Sequence, residues 1–284
     1  MQVVRSPKKM QKICGELKRK GKIIGFVPTM GYLHEGHLSL IRIAKKKSEV
    51  LVVSVFVNPT QFGPREDFKR YPRDFKRDRF LLESRLRRDD FVFAPGKKDM
   101  YPEGYLTYVN VDRITQKLEG AVRPVHFQGV TTIVAKLFNI VQPDVAVFGQ
   151  KDAQQAVVLK KMVDDLNYRI KMVIAPTVRE RDGLALSSRN MYLSTEERKQ
   201  AKVLYQALLV AEDMIKKGER KASKIVSGMR TLINKQPLAD IDYIAITDAN
   251  SLELLKKLEG EILISLAVRF GKTRLIDNIK IKVA

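Results

Sequence analysis

The stretch from Lys22 to Lys47, KIIGFVPTMGYLHEGHLSLIRIAKKK, decides how this chain is read. Lys22 to Val27 has the apolar, β-branched character of a strand, and Leu38 to Lys47 repeats apolar residues at helical spacing. A strand, a loop and a helix in that order are the repeating unit of a parallel sheet wrapped by helices. The loop between them holds Gly31 and Gly36, which allow close backbone approach, and two histidines. Such a loop sets backbone N–H groups and the positive end of a helix near any bound phosphate. His34 and His37 lie three apart around Gly36, so both imidazoles can face one ligand.

The same alternation extends in both directions. Ser6-Pro7 caps and opens a helix that buries Met10, Ile13, Cys14 and Leu17 and closes at Gly21. Val50 to Val57 is a continuous apolar run, as in a strand buried on both faces. A charged helix is expected over 73–87, then a strand at Phe91–Phe93, and the alternation of Tyr105 to Val111 suggests another strand. A helix follows over Gly129–Val141, a strand over Asp144–Phe148, a helix over Asp152–Leu166 and a strand over Arg169–Ala175. Beyond Pro176 the pattern changes. A turn-rich polar segment leads to Ser194-Thr195-Glu196-Glu197, a capping box that opens a long helix. A helix over 221–235 and strands at Ile241–Thr247, Ile262–Val268 and Thr273–Ile281 complete the chain. The expected fold is α/β: a Rossmann-like domain over 1–175, then a smaller α+β domain over 176–284 acting as a lid.

Composition narrows the function. The 284 residues include 53 Lys+Arg against 32 Asp+Glu, a net charge of +21, with three His and one Cys. One Cys excludes an intrachain disulfide and a cysteine zinc site. The three His leave few metal ligands, so no protein-held metal is expected. The N-terminal MQVVRSPKKM has no apolar core, and the run Val50–Val57 is far short of the ~20 residues of a membrane span, so a cytoplasmic protein with no membrane partner is expected. The positive charge raises nucleic-acid binding. It concentrates on predicted helices and lacks interleaved aromatics, so solvated faces explain it and no nucleic-acid partner is expected.

In an open parallel sheet, ligands bind beyond the C-terminal strand ends. Three loops qualify. The first is Met30-Gly31-Tyr32-Leu33-His34-Glu35-Gly36-His37. The second holds Asn58 and Gln61, which form either an ordinary turn or a polar site. The third is Gly149-Gln150-Lys151-Asp152, with Gln155 beyond it. Lys151 suits phosphate; Asp152 suits Mg2+ or a hydroxyl, or serves only the helix dipole. A fourth segment, Leu186-Ser187-Ser188-Arg189, can grip phosphate through hydroxyl and guanidinium donors. Arg123 is either a carboxylate ligand or a surface residue. No G-x-G-x-x-G, Walker A or G-x-S-x-G pattern occurs, which disfavours dinucleotide enzymes and nucleophile-elbow hydrolases.

Taken together, Pro-Thr-Met-Gly-Tyr-Leu-His-Glu-Gly-His from Pro28, Asn-Pro-Thr-Gln-Phe from Asn58, Arg-Pro-Val-His-Phe from Arg123, Gly-Gln-Lys-Asp from Gly149 and Leu-Ser-Ser-Arg-Asn from Leu186 resemble the pantothenate synthetase (pantoate–β-alanine ligase) family of the nucleotidyltransferase superfamily. The resemblance implies a ligase that forms an amide bond between (R)-pantoate and β-alanine. ATP and Mg2+ take part, a pantoyl adenylate is the intermediate, and AMP and pyrophosphate leave. It implies ATP contacts at Met30, Gly31, Tyr32, Leu33, His34, Glu35, Gly36 and His37, with His37 the proton donor. It adds Gly149, Gln150, Lys151, Asp152, Val178, Leu186, Ser187, Ser188 and Arg189 for ATP. His34, His37, Lys151, Ser187, Ser188 and Arg189 are the implied catalytic set. Gln61, Gln155, Asn58, Tyr71 and Arg123 would line the pantoate and β-alanine pocket. A homodimer is implied as well. The alternative is another nucleotidyltransferase of the same fold.

Overall fold

The computed structural model describes residues 1–64 and 66–283. They divide into two compact units, Met1–Gly149 with Val158–Pro176, and Gln150–Val157 with Thr177–Ala284. The short segment 150–157 therefore groups with the C-terminal residues rather than with the sheet that precedes it.

In the first unit the elements follow one another as β1 (Gln2–Val4), α1 (Pro7–Arg19), β2 (Ile24–Thr29), α2 (Glu35–Lys45), β3 (Val50–Val55), α3 (Phe75–Glu83), β4 (Phe91–Phe93), α4 (Lys97–Met100), α5 (Glu119–Val122), α6 (His126–Val141), β5 (Val145–Gly149), α7 (Ala153–Asp165) and β6 (Lys171–Ala175). The first residues of α7 belong to the second unit. The strands form one parallel sheet in the order β1-β4-β3-β2-β5-β6. Successive side chains of a strand point to opposite faces. Ile24 and Phe26 thus join Val52, Ala146, Phe148 and the apolar side of α6 in one core. Val27 joins Leu51, Val53, Val147 and α2 in the core on the other face. The direction of strand order reverses between β2 and β5, a switch point of the kind where α/β sheets bind ligands.

The second unit holds α8 (Thr195–Ala201), α9 (Val203–Lys216), α10 (Ala222–Ile233) and the antiparallel sheet β7 (Ala239–Asp248), β8 (Gly260–Phe270), β9 (Thr273–Val283) in that order. Its core is built from Leu204, Leu208, Ile225 and Met229 of the helices against Ile262, Ile264, Leu266 and Val268 of β8. No helix of the described residues is long and apolar enough to cross a membrane.

Several expectations change. Tyr105–Val111 forms no strand. Val109 instead gives its N–H to Thr132 Oγ1 at 2.9 Å, and its carbonyl accepts from Thr131 Oγ1 at 2.6 Å. Two helix hydroxyls thus replace a ladder partner for this alternating segment. The helix opened by the Ser194 capping box breaks at Lys202, giving α8 and α9. Strand β1 has no counterpart in the sequence pattern; three residues are too few to show a period. Helix α2 starts at Glu35, not Leu38, so Gly36 and His37 lie in its first turn.

Phe138 of α6 meets Phe26, Phe148 and Tyr168 edge to face, with centroids 5.6–6.4 Å apart, and is fully buried. Phe138→Ala is expected to destabilise the first unit by about 3–5 kcal/mol, read as a lowered urea midpoint by circular dichroism. A loss under about 1 kcal/mol would show that this ring is not central to the core.

Candidate active site

Helix α2 is entered through a loop whose backbone is pinned residue by residue. Thr29 Oγ1 donates to Ser54 O at 2.7 Å and accepts the Gly31 N–H at 3.2 Å. Tyr32 and Leu33 give their N–H groups to the two carboxylate oxygens of Asp78, each at 2.7 Å. The His34 N–H is accepted by His37 Nδ1 at 3.3 Å. Gly31 has φ +81°, and a Cβ there would lie 2.9 Å from Asp78 Oδ2, so the glycine is required twice over. Arg77 completes the clamp: Nη1 donates to Leu33 O at 2.9 Å, and the guanidinium lies 4.9 Å from the Tyr32 ring centroid.

This departs from the expectation that the loop amides would face phosphate. The N–H groups of residues 31–34 all serve to shape the loop. What the loop presents is the start of α2 and two imidazoles, with ring centroids 4.1 Å apart. The cap also sets a tautomer. A ring nitrogen that accepts from an amide carries no proton, so neutral His37 keeps its proton on Nε2, as a donor. Asp78, which holds the loop, was invisible among the solvated acids of a charged helix. It is almost fully buried, and that burial pushes its carboxyl pKa up despite the two N–H bonds.

The second loop lies in the same unit. Asn58 and Gln61 flank and form a 3-10 turn, Pro59–Gln61. Asn58 is buried; its Nδ2 donates to Gln61 Oε1 and to Gly129 O, both at 3.0 Å, and its Oδ1 accepts from Thr60 Oγ1 and Tyr101 OH. Asn58 therefore acts as scaffold for Gln61. The Gln61 Nε2 in turn reaches Met30 Sδ at 3.1 Å, which brings the first and second motifs together. Gly129 permits the approach, since a Cβ there would sit 2.4 Å from Thr60 O. His126 lies behind Gln61. Its Nδ1 is 2.9 Å from Gln61 O, and a carbonyl can only accept, so Nδ1 carries the proton. Burial first, and the neighbouring Arg123 second, lower the His126 pKa to about 4. The ring is neutral at pH 7.

Arg123 faces Glu66 through Nε at 3.0 Å and Nη2 at 2.5 Å, a paired contact of the kind a substrate carboxylate would make. Desolvation works to raise the Glu66 pKa, but the Arg123 hydrogen bond and charge outweigh it and hold it below the usual range. Tyr71 is buried edge-on against Phe62, with centroids 5.8 Å apart.

The second unit holds the remaining motif residues. Gln150, Lys151 and Asp152 form a 3-10 turn, and Gln155 follows in α7. Lys151 Nζ lies 3.4 Å from Asp152 Oδ1. Val178 O accepts the Leu186 N–H at 3.0 Å, closing a small hairpin with a bridge between Arg179 and Ala185. Ser187 Oγ accepts the Arg189 N–H at 3.2 Å and caps the 3-10 turn Ser188–Tyr192. Gly149 ends β5 in the first unit.

The sequence model of the pantoate-beta-alanine ligase family matches residues 2–280. A pantothenate synthetase of Caldicellulosiruptor bescii is 54% identical over 282 residues, 99% of each chain. The crystal structure of pantothenate synthetase from Thermus thermophilus superposes with a TM-score of 0.93 at 47% identity, covering 98% of this chain and 99% of that one. That of the pantoate-beta-alanine ligase from Francisella tularensis, complexed with beta-gamma ATP and beta-alanine, gives 0.80 at 36% identity, covering 98% and 97%.

The His126 geometry makes a pH prediction. Its folded pKa of about 4 lies below the ordinary 6.5. Between those values the unfolded chain binds the proton and the folded chain does not. The stability tied to the neutral ring is therefore complete above pH 6.5 and is lost as pH falls towards 4, at most about 3 kcal/mol. His126→Asn offers an amide donor to Gln61 O in place of Nδ1 but does not titrate. Urea titrations at pH 7 and 4.5 should show a smaller pH-dependent loss in the variant. Equal losses in both proteins would contradict the assignment.

Proposed function

Because the chain belongs to the pantoate–β-alanine ligase family, and is thus a ligase that forms the amide bond of pantothenate, we propose that it does so by activating pantoate with ATP. An amine does not displace oxide from a carboxylate, so the carboxyl group must first be given a better leaving group. One pantoate carboxylate oxygen attacks the ATP α-phosphorus, the α–β phosphoanhydride bond breaks, and pyrophosphate leaves. Pantoyl adenylate remains. The β-alanine amine, unprotonated, then attacks the acyl carbon. The acyl carbon–oxygen bond breaks, AMP leaves, and the amine nitrogen gives up its proton to solvent. No protein nucleophile is needed. The work is to bring anions together and to balance charge as pyrophosphate departs.

The fixed His34–His37 pair carries this reading. With Nδ1 engaged by the loop, His37 offers Nε2–H to a phosphoryl oxygen whose charge grows as the bond breaks. His34 supplies a second imidazole beside it. Lys151, Leu186, Ser187, Ser188 and Arg189 are proposed to close over the phosphates, Gly149 to Asp152 to hold the ribose and phosphates, and Val178 to contact adenine through its backbone. Gln61 and Gln155 are proposed for pantoate, with Tyr71 and Arg123 in the same pocket. Mg2+ belongs to the substrate as MgATP, its ligands phosphate oxygens and water. Asp152 is the acidic side chain of its segment suited to that hydration shell. The ATP and β-alanine of the Francisella tularensis complex support this choice of substrates. A homodimer is part of the proposal; exposed Leu106 and Tyr108 of the first unit are apolar side chains that a second copy would cover.

The test is exchange of labelled pyrophosphate into ATP. It should depend on pantoate and proceed without β-alanine. Exchange supported by a different acid, or formation of a nucleotide-linked product in place of AMP, would refute the substrate assignment. His37→Ala should lower the exchange rate by about 10²–10³ while the circular dichroism spectrum is kept. A variant within threefold of the parent would remove His37 from the mechanism.

A further inference from the structure

Strand β9 carries a break in its burial pattern. Thr273, Leu275 and Asp277 alternate as buried residues with half-exposed neighbours, and then Asn278 is buried as well. Consecutive residues of a strand point to opposite faces. Asp277 and Asn278 therefore reach two different segments of the second unit, and both segments hold residues proposed for ATP.

Asn278 reaches the 3-10 turn. Its Nδ2 donates to Lys151 O at 2.8 Å and to Gln150 O at 3.1 Å, and its Oδ1 accepts from Gln150 Nε2 at 3.0 Å. Only a side-chain amide offers two donors and an acceptor in one plane for this arrangement. Asp277 reaches the other segment. Its carboxylate takes Arg179 Nη1 at 2.6 Å and Nη2 at 2.9 Å, and Arg179 Nη1 also donates to Gly183 O at 3.0 Å. Arg179 stacks on Tyr205 with its guanidinium 4.0 Å from the ring centroid. Tyr205 in turn lies against Gly183, where a Cβ would come within 2.2 Å of the ring. The two arms are joined: the Asn278 N–H donates to Asp277 Oδ1 at 2.8 Å, and Asn278 O accepts from Arg179 Nη2 at 3.5 Å.

We propose that Asp277-Asn278 is a positioning pair for the ligase reaction: one extended dipeptide that sets Lys151 and the 179–189 loop in fixed register for the phosphates of ATP. The proposal rests on the ATP reading above. It gives the C-terminal sheet a part in nucleotide binding through residues that touch no substrate. Neither residue stood out in the sequence, where both read as ordinary polar positions of a strand.

The test uses Asn278→Asp, which keeps the shape of the side chain but replaces both amide donors by carboxylate oxygen facing two carbonyls. Asn278→Ser is the milder second variant. Val268→Ala, a buried position of β8, is the control for lost stability alone. ATP affinity is measured by titration calorimetry with MgATP, and the KM for ATP and kcat by pyrophosphate exchange. Both Asn278 variants should weaken ATP binding and raise the KM for ATP about tenfold or more, as expected for two lost hydrogen bonds. Val268→Ala, at an equal fall in melting temperature, should stay within twofold of the parent. Unchanged ATP affinity in Asn278→Ser, or an equal rise in Val268→Ala, would overturn the proposal. A parent chain that binds ATP but shows no pantoate-dependent exchange would refute the choice of acid and leave the affinity comparison valid. A parent chain that does not bind ATP would overturn both.

Discussion

Four consecutive backbone N–H groups, those of Gly31, Tyr32, Leu33 and His34, are taken by the side chains of Thr29, Asp78 and His37. The candidate site depends on that constraint. A loop with free amides would wrap itself around an anion. This loop has a shape of its own before any anion arrives, and Asp78 and Arg77 of α3 hold it from outside. Its chemistry is moved from the backbone to the imidazoles. The bond that caps α2 is also the bond that decides which nitrogen of His37 carries the proton, so local folding and the proposed chemistry meet in one contact.

The same economy holds around Gln61. Asn58, His126 and Arg123 surround it with hydrogen bonds, and Gly129 lets α6 come close enough for them to form. Buried polar networks of this kind are favourable only when their members are satisfied. The neutral His126 fits that rule, because a charged ring would need a partner beyond Gln61 O. The proposed reaction, which needs no protein nucleophile, places its demand on such positioning. The Arg123–Glu66 pair shows the demand from the other side, since Glu66 already presents to Arg123 the carboxylate chemistry proposed for a substrate.

The strands that place the site were legible because β2, β3 and β5 are covered on both faces and read as continuous apolar runs. The His34 loop was legible because a strand and a helix bracket it. What stayed hidden depended on partners distant in sequence. Asp78 looked like any acid on a charged helix until its burial against residues 32 and 33 was seen. Tyr105–Val111 alternates like a strand, yet Thr131 and Thr132 satisfy Val109. Arg123 read as either a carboxylate ligand or a surface residue, and only the fold shows the carboxylate of Glu66 beside it. Asp277 and Asn278 carry no motif at all; their meaning lies in the two segments that the strand separates. The excess positive charge that first suggested nucleic acid is spread over helices, loops and strands alike, and two of the cations proposed for the site, Arg123 and Lys151, lie beside carboxylates.

Through the His34 N–H, folding fixes the proton of neutral His37 on Nε2. Nitrogen-15 NMR of the histidine-labelled protein reads it directly, and three histidines make assignment by single substitutions practical. An unprotonated, pyridine-type Nδ1 and a protonated, pyrrole-type Nε2 are expected for His37 at neutral pH, and the opposite tautomer, with the proton on Nδ1, for His126. A neutral His37 that carries its proton on Nδ1 would contradict this assignment, because the loop amide of His34 would then have no acceptor there and Nε2 no hydrogen for the proposed phosphate contact.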